Sequence, residues 1–424
     1  MREDFLHYLW KYQKFAGASL KTVAGNSIRV SKPGMHNSNE GPDFFNAQLE
    51  IDGQNWAGNV EIHCNSSHWY THHHETDSNY DNVILHVVWN HDASVYRKDN
   101  TVVPTLQLKD VVPSKLVQTY QQLFLKPGKW INCEHHIVEV PQMIKKNWLE
   151  RLYIERLEMK SKLLLQELDE SVNHWEALLF RLLCKSFGLD KNGNSFLSIS
   201  KSLPFSVWQK TFQDVEELEA LLFGQAGLLT FPMIDSYYNF LQERYIYLRR
   251  KHGIRESPII PVKFFRLRPP NFPTIRLSQL AVLFSAEPHL FSKIMEAKSI
   301  EDYYNIFQLG ATSYWDTHYN FEVSSSKRKK NLTKKFIDLL IINAVIPLKF
   351  CHAVYIGKDA SEEVLKLARS IHSEENYTVR KFESFGLPVS NAMDSQGVLE
   401  LKKSYCDLHK CLDCAMGNAL LKAQ

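Results

Sequence analysis

Two short segments near the start of the chain carry acidic side chains at a spacing that suits a divalent metal ion. Asp43 follows Pro42, and Glu61 comes eighteen residues later, directly before Ile62 and His63. Carboxylate oxygens are the ligands that hard divalent ions prefer. If neighbouring strands carry the two acids, the acids can hold one ion between them.

The residues between the two acids predict a β-hairpin. Residues 45–51 alternate between apolar and polar side chains, as in a half-buried strand. Asp52-Gly53 is a strong turn signal, and a second strand is expected from about residue 56 to residue 63. Glu61 and His63 are two positions apart on that strand and therefore share one face.

The register of this hairpin decides whether the acids meet. With a three-residue loop, Asp43 lies opposite His63 and diagonal to Glu61, so the carboxylates share a face. With a two-residue loop, Asp43 pairs with Ile62 and its carboxylate points to the other face. We expect the three-residue loop, with Gly53 in the left-handed conformation that a glycine adopts easily.

These residues carry two resemblances. Pro42-Asp43, a strand and turn, and then Glu61-Ile62-His63 resemble the signature of the PD-(D/E)XK nuclease superfamily, with a histidine where lysine is usual. That likeness covers about the first hundred residues. The wider pattern, from Gly34 through residues 41–44 and 58–63 to residues 85–88, resembles a bacterial family known only as domain-of-unknown-function family 2851. This second likeness covers most of the chain, including its cysteine-rich end.

The nuclease resemblance implies a metal site and a reaction. Asp43 and Glu61 would bind Mg²⁺ or Mn²⁺, and the backbone carbonyl of Ile62 would complete the shell. The ion would activate a water and stabilise charge on a scissile phosphate. His63 would act as a base or, when protonated, as the cation that the usual lysine supplies. Otherwise Lys32 takes that role, or the site has lost catalysis.

The same superfamily tends to place a glutamate on a helix before the first strand. Glu3 opens a segment with apolar residues at helical spacing, and we favour it over Glu40, which lies among turn-forming residues. An acid at a helix N-terminus is also stabilised by the helix dipole, which is the simpler explanation for Glu3.

Histidines are concentrated in the same region. Eight of the eighteen histidines lie between His36 and His91. His68 and His72 would share a face of a short helix, so a zinc site built from imidazoles is an alternative to a magnesium site. An exposed polar loop is the other explanation. His86 lies within an apolar strand and needs a partner or a function, because a buried unpaired imidazole is costly.

A second candidate metal site lies near the C-terminus. Cys406, His409, Cys411 and Cys414 offer four ligands within nine residues, enough for one tetrahedral Zn²⁺. The Cys-x-x-Cys pair could instead be redox-active, part of an iron–sulfur site, or a packed pair of free thiols.

Composition excludes several classes of protein. The chain has 424 residues, is 44% hydrophobic and carries a net charge of +3, so no overall field indicates nucleic acid. No secretory signal is visible, and the longest apolar run, near residues 336–348, is too short to span a bilayer. Seven cysteines in such a chain indicate thiols or metal ligands rather than disulfides. We expect a cytoplasmic protein that does not bind membranes.

The pattern along the chain predicts an α+β (mixed) protein. Residues 1–140 form a β-rich, PD-(D/E)XK-like domain, and residues 141–424 form a mainly α-helical domain that ends in the Cys/His cluster. Helical periodicity is clear at residues 147–168, 172–187, 215–223 and 236–252. An arginine-rich loop at residues 264–277 and a lysine-rich run at residues 324–335 could contact phosphates, although a structural role is the simpler explanation.

The resulting hypothesis is a divalent-metal-dependent nuclease that hydrolyses phosphodiester bonds of nucleic acid, with Asp43, Glu61 and His63 at its centre. The alternative is a non-catalytic nucleic-acid or protein interaction module that keeps the nuclease-like fold. A zinc hydrolase built on His68 and His72 is the third possibility.

Overall fold

A computed structural model describes residues 1–15, 19–37, 39–124, 128–255 and 258–422. The chain divides into two compact units: Met1–Trp148 with Ser384–Leu387 and Leu401–Gln424 form the first, and Leu149–Glu383 with Pro388–Glu400 form the second. The fold is α+β, with a sheet in the N-terminal part and helices after it. The C-terminal segment from residue 401 belongs to the first unit, whereas the sequence division had assigned it to the helical domain.

A seven-stranded mixed sheet forms the centre of the first unit. Its strands are β1 (Leu20–Lys21), β2 (Ser27–Lys32), β3 (Met35–His36), β4 (Phe44–Ile51), β5 (Gln54–Asn65), β6 (Val83–Asn90) and β7 (Thr105–Gln107). The order is β1-β2-β4-β5-β6-β7, with β3 also paired to β4. Strands β5, β6 and β7 run parallel, and the other pairs are antiparallel.

Three helices of the first unit accompany the sheet: α1 (Glu3–Lys11), α2 (His68–Thr71) and α3 (Ser114–Phe124). Helix α1 buries an apolar face formed by Phe5, Leu6, Leu9 and Trp10. Strand β6 is buried over most of its length, which explains its nearly continuous apolar sequence, since a parallel strand in the middle of a sheet is covered on both faces.

The hairpin of β4 and β5 has a tighter turn than the sequence suggested. Ile51 pairs with Gln54, so the loop holds only Asp52 and Gly53. Both loop residues have positive φ, at 49° and 78°. That combination is typical of a two-residue turn that matches the twist of the strands. The predicted three-residue loop is therefore wrong.

A β-bulge near Asn46 corrects the register. Ala47 pairs with Gly58, but Phe44 pairs with Val60, so two residues of β4 oppose one residue of β5. Asn46 has a φ of 56°, the left-handed conformation that asparagine tolerates better than most residues. The bulge moves the start of β4 by one further position relative to β5, so Asp43 comes opposite Glu61 rather than His63 and its side chain returns to the face of Glu61.

From residue 142 the chain is mostly helical. The helices are α4 (Gln142–Glu170), α5 (Trp175–Phe187), α6 (Leu189–Lys201), α7 (Phe205–Thr211), α8 (Val215–Gln225), α9 (Ser236–His252), α10 (Pro273–Ala286), α11 (Leu290–Glu296), α12 (Ile300–Ile306), α13 (Lys334–Leu340), α14 (Ile346–Tyr355), α15 (Ser361–Arg369), α16 (Tyr377–Ser384), α17 (Ala392–Glu400) and α18 (Ala415–Lys422). A small two-stranded sheet joins β8 (His318–Asn320) to β9 (Val323–Ser324). Helix α18 belongs to the first unit.

Two basic residues that were candidates for phosphate contact have structural roles. The Arg276 guanidinium is buried, donates to Gln279 and Asn271, and lies over the ring of Phe336. Lys330 is also buried, and its ammonium donates to two backbone carbonyls. These two cations are therefore used inside the second unit.

One helical stretch, Lys334–Tyr355, passes a length and composition test for a membrane span. It joins α13 and α14 through a π-helical turn at Ile341–Val345. Because 72% of its most apolar part is buried inside the structure, it has the character of a core helix.

Candidate metal centre

The structure brings Asp43 and Glu61 together. The backbone N–H of Asp43 donates to Glu61 Oε2 at 3.1 Å, and the N–H of Ile62 donates to Asp43 Oδ2 at 2.9 Å. This reciprocal pairing depends on the bulge near Asn46, which places the residue before β4 beside the glutamate of β5. The two carboxylates therefore share one edge of the site, by a different route from the one predicted.

Three imidazoles converge on Glu61. Its Oε1 lies 3.3 Å from His74 Nε2 and 3.5 Å from His63 Nε2. His63 Nε2 lies 3.1 Å from His72 Nδ1. One ring nitrogen from each of His63, His72 and His74 lies within 4.8 Å of the other two.

Three separations in this donor set match those between adjacent ligands of a tetrahedral metal ion. Metal–nitrogen and metal–oxygen bonds of zinc are about 2.0–2.2 Å long, so adjacent ligands are separated by roughly 3.3–3.5 Å. The three short separations around Glu61 and His63 are 3.1, 3.3 and 3.5 Å. His74 Nε2 is buried, and its 3.3 Å approach to Glu61 Oε1 lacks the geometry of a hydrogen bond, so this atom has no hydrogen-bond partner within the described residues. Metal coordination would satisfy this atom.

Two elements supply the four donors. Strand β5 contributes Glu61 and His63, which face the same way because they are two residues apart. The crossover from β5 to β6, residues 66–82, contributes His72 and His74, just after α2. His73, between these two, has a φ of 60° and an exposed side chain.

The start of the crossover is fixed by one carboxylate. Asp92 accepts hydrogen bonds from the Ser66 hydroxyl at 2.9 Å and from the Ser67 backbone N–H at 2.8 Å. The Ser67 hydroxyl donates to its other oxygen at 2.8 Å. Asp92 follows β6, so it links the two ends of the connection that carries the histidines.

A second layer of side chains holds the imidazoles in place. His63 Nδ1 lies 2.9 Å from Nε2 of His86, which is completely buried in β6. Tyr80 stacks on His74 with ring centroids 3.7 Å apart, and Trp69 packs against the edge of the same ring. An outer partner that orients a ligating imidazole is usual for metal sites. The expectation that His86 needs a partner is confirmed.

More exposed residues extend the site beyond Asp43. His7 Nε2, on α1, lies 3.2 Å from Asp43 Oδ2, and His7 Nδ1 lies 3.4 Å from His36 Nε2. On the same helix, Glu3 lies 3.8 Å from the ring nitrogen of His68. Helix α1 therefore presents an acid and an imidazole, one turn apart, toward the candidate centre.

The surroundings of Glu61, His63 and His86 favour the uncharged form of each free side chain. Burial, and then the negative charge of Asp43, raise the pKa of Glu61 to about 9. Burial, and then the neighbouring imidazoles, lower the pKa of His63 to about 2 and that of His86 to about 3. His63 and His86 are therefore neutral near pH 7, and a ligating imidazole must be neutral. A bound cation would stabilise the ionised form of Glu61.

The pKa of His7 shifts upward, in the opposite direction to those of His63 and His86. Burial opposes its protonation, but the hydrogen bond and negative charge of Asp43 outweigh burial and raise the pKa of the imidazole. Its side chain is 23% exposed, whereas that of His63 is 2% exposed. His7 is therefore the histidine of the site that is best placed to carry a proton to and from solvent.

The other residues named from the sequence occupy different places. The N–H and C=O of a strand residue point to the same side of the strand. The Ile62 N–H donates to Asp43, so the Ile62 carbonyl also points toward β4, which begins directly after Asp43. Lys32 is exposed and pairs with Gln48, five residues along β4 from Asp43 and roughly 15 Å away. Lys32 therefore does not replace the missing lysine.

Sequence reasoning overlooked His7, His36 and His74 as parts of this site. His7 follows Glu3 by four residues, so the helical face that was assigned to Glu3 could have revealed it. His74 gave no such signal, because its position depends on the turn after α2. His36 lies on the short strand β3, beside β4.

At the other candidate site, His409 is exposed and has a φ of 54°. Within the part of the chain that the structure describes, no contact joins its ring to Cys406, Cys411 or Cys414. The three cysteines lie in the first unit, together with Cys133.

Comparison with known proteins places the chain in a family. The model of the protein family of unknown function DUF2851 matches residues 3–377, and the chain belongs to this family. No curated protein matches the chain. No solved structure matches it either.

Proposed function

We propose that this member of the DUF2851 family is a divalent-metal-dependent nuclease that hydrolyses phosphodiester bonds. The observation that carries the proposal is the cluster of His63, His72 and His74 beside Glu61 and Asp43. Glu61, His63 and His74 are buried polar side chains, and burying such groups is costly unless they have partners.

The donor set narrows the choice of ion. Imidazole nitrogen suits zinc, iron and similar transition metals, whereas Mg²⁺ prefers an all-oxygen shell with several waters. The four donors therefore favour Zn²⁺, and Mn²⁺, which also prefers oxygen ligands, is the second choice. The Mg²⁺ expected from the two carboxylates alone becomes the least favoured ion, although Asp43 could add a further oxygen.

In the proposed reaction, the ion and the protein side chains have different roles. A bound ion supplies Lewis-acid polarisation of the phosphate and a more acidic water. His7, hydrogen-bonded to Asp43 and partly exposed, accepts or donates the proton. Asp43 orients the His7 ring and stabilises its charged form, so the raised pKa of His7 suits proton transfer near neutral pH.

This division changes the role expected for His63. With a pKa lowered to about 2 and contacts to His72 and His86, His63 is neutral and cannot supply the positive charge of the usual lysine. It acts as a ligand instead. Protonated His7 is the group that can take over the cationic role.

The substrate class rests on the arrangement of the acids. Asp43 lies at the start of one strand and Glu61 on its hairpin partner, the order in which PD-(D/E)XK nucleases carry their metal-binding acids. The substrate would accordingly be nucleic acid, and a cytoplasmic location is part of the same proposal.

The test is cleavage of labelled single- and double-stranded DNA and RNA with Mn²⁺, Zn²⁺ or Mg²⁺, and with EDTA. We expect cleavage with Mn²⁺ or Zn²⁺ that EDTA abolishes and that Glu61→Gln reduces at least a hundredfold. Glu50→Gln is the matched control, because Glu50 lies on β4 near the turn, away from the imidazoles. His7→Gln should lower the rate but leave metal binding intact.

A non-catalytic module makes a different prediction. The protein would bind one equivalent of metal through the same four side chains and would cleave none of the substrates. In that case Glu61→Gln would change metal content but no activity, and His7→Gln would have no effect on function. That result would contradict the nuclease proposal and leave the metal site in place.

A further inference from the structure

Three of the seven cysteines lie close together in the C-terminal segment of the first unit. Cys406 ends a π-helical turn, Cys411 and Cys414 follow in a short loop, and α18 begins at the next residue. The N–H of Cys414 donates to the Cys411 carbonyl at 3.3 Å. A Cβ atom at Gly417 would lie 2.2 Å from the same carbonyl, so α18 packs directly on the loop and requires glycine there.

A fourth cysteine reaches this loop from the other end of the unit. Cys133 precedes Cys406 by more than 270 residues, and its neighbour Asn132 donates to Cys411 Sγ at 3.3 Å. The thiols of Cys411 and Cys414 are near enough to Cys133 to act on it electrostatically. The thiols of Cys133, Cys411 and Cys414 likewise act electrostatically on the thiol of Cys406.

We propose that Cys133, Cys406, Cys411 and Cys414 together hold a thiophilic metal centre with four thiolate ligands. Four cysteines are the usual ligand set of a structural zinc ion. The spacing Cys-x₄-Cys-x₂-Cys with a distant fourth cysteine also occurs around iron–sulfur clusters. The ligand set thus differs from the one expected from sequence, with Cys133 in place of His409.

The surroundings of the four thiols suit bound thiolates. Asn132 and the backbone N–H groups of Met416 and Gly417 donate to the sulfur atoms of Cys411 and Cys414. Hydrogen bonds of this kind stabilise the charge on coordinating sulfur.

Cations are present as well. Lys129 acts electrostatically on Cys133, Lys402 on Cys406 and Arg2 on Cys411. A divalent ion with four thiolates carries a formal charge of about −2. Arg2 also pairs with Asp4 and Lys402 with Asp407, so the three cations would offset only part of that charge.

Without a metal, the same environment keeps the thiols protonated. Burial, and then the neighbouring thiols, raise the pKa of Cys133 to about 12, and burial likewise raises the pKa of Cys411 to about 11. A coordinating metal ion deprotonates a thiol outright. Among the described residues only the three histidines near Glu61 already have donor atoms within 4.8 Å of one another, so metal binding would draw the sulfur atoms closer by side-chain rotation.

The proposed centre is independent of the proposed nuclease activity. It would join the residues after α3 to the C-terminal segment and so fix α18 in the first unit. A cross-link that closes so long a loop stabilises the folded state mainly by restricting the unfolded chain.

The test uses the full-length protein, purified with and without oxygen, and measures zinc, iron and acid-labile sulfide per chain. In a colourless protein, zinc that is lost from Cys133→Ser but kept in Glu61→Gln identifies the zinc centre. Iron with sulfide and a brown colour that dithionite bleaches identify the cluster. In either case Cys133→Ser should lose that metal, whereas Cys351→Ala, a buried thiol of the second unit, and His409→Ala should keep it.

A second measurement uses the wild-type protein and therefore does not depend on whether the variants fold. Co²⁺ added to the metal-depleted wild type should produce sulfur-to-cobalt charge-transfer absorption, which the histidine site cannot produce. The four thiols should also alkylate much more slowly with metal than after chelation. Absence of that absorption, together with equal alkylation rates in the two states, would overturn the proposal.

Discussion

At the scale of single residues, histidines rather than acids define the candidate centre. Asp43 and Glu61 were found from sequence because both acids flank a recognisable hairpin. His72 was named from the sequence as a helical neighbour of His68. The ring of His68 itself contacts Glu3 instead, at 3.8 Å. His74 could not be found, because a left-handed residue and a non-repeating turn bring it back toward Glu61.

His74→Ala should weaken the affinity for Zn²⁺ or Mn²⁺ at least about tenfold, because it removes one of four donors. Isothermal titration of the metal-depleted protein measures this change. His73→Asn is the matched control, since His73 is exposed and asparagine tolerates its left-handed backbone. Equal affinities in the two variants would exclude His74 as a ligand.

The metal-free protein should lose stability as the pH rises from 7 to 9. Folding raises the pKa of Glu61 from about 4.5 to about 9, so the folded state binds more protons over this interval and stability falls with pH. The lowered pKa values of His63 and His86 affect stability only below about 6.5, whereas the raised pKa of His7 adds to the same fall in stability above that pH.

Urea unfolding in EDTA at several pH values measures this slope. Glu61→Gln should flatten it, since glutamine does not titrate. Saturating Zn²⁺ should remove the slope from the wild type as well. A slope that is unchanged in Glu61→Gln would show that another group causes it.

At the scale of elements, a compensating pair of features sets the register of β4 and β5. The turn at Asp52-Gly53 is one residue shorter than expected, and the bulge near Asn46 shifts the pairing by one further residue, so Asp43 again faces the side of Glu61. The sequence signals a hairpin clearly, since the Asp-Gly pair and the alternation are local. A bulge depends on the pairing of two strands, so it is not visible in either strand alone.

Asn46→Val should lower the free energy of unfolding by about 1–2 kcal/mol, because a β-branched residue is strained at positive φ. The same change should weaken metal binding, since a lost bulge turns Asp43 away from Glu61. Asn46→Gly should preserve both properties. Thermal unfolding and metal titration of the three proteins test this, and unimpaired metal binding in Asn46→Val would contradict it.

At the scale of the whole molecule, the chain is not a simple succession of two domains. Leucine periodicity correctly predicted long helices such as α4, α5 and α9. The predicted boundary near residue 140 could not anticipate that residues from 401 onward pack in the first unit. Hydrophobic periodicity reports which residues are buried, but it carries no information about which distant segment covers them.

Ending the chain after residue 400 should destabilise the first unit selectively. The removed segment buries Met416, Leu420 and Leu421, at 1%, 4% and 5% exposure. Each such side chain contributes roughly 1.5–3 kcal/mol. Hydrogen exchange should accelerate in β4, β5 and β6.

Helix α5 of the second unit should keep its protection in the same experiment. Leu420→Ala should give a smaller effect of the same kind, and Leu408→Ala, which truncates a side chain that is 57% exposed, should give none. Equal loss of protection in both units would contradict this selectivity.

The late return of the chain to the first unit has a consequence for synthesis. The strands at Asp43 and Glu61 leave the ribosome about 335 residues before the segment that completes their unit. At about 5–20 residues per second, this interval lasts roughly 17–67 s. During that time a nascent sheet with an incomplete cover is exposed to chaperones and to other chains.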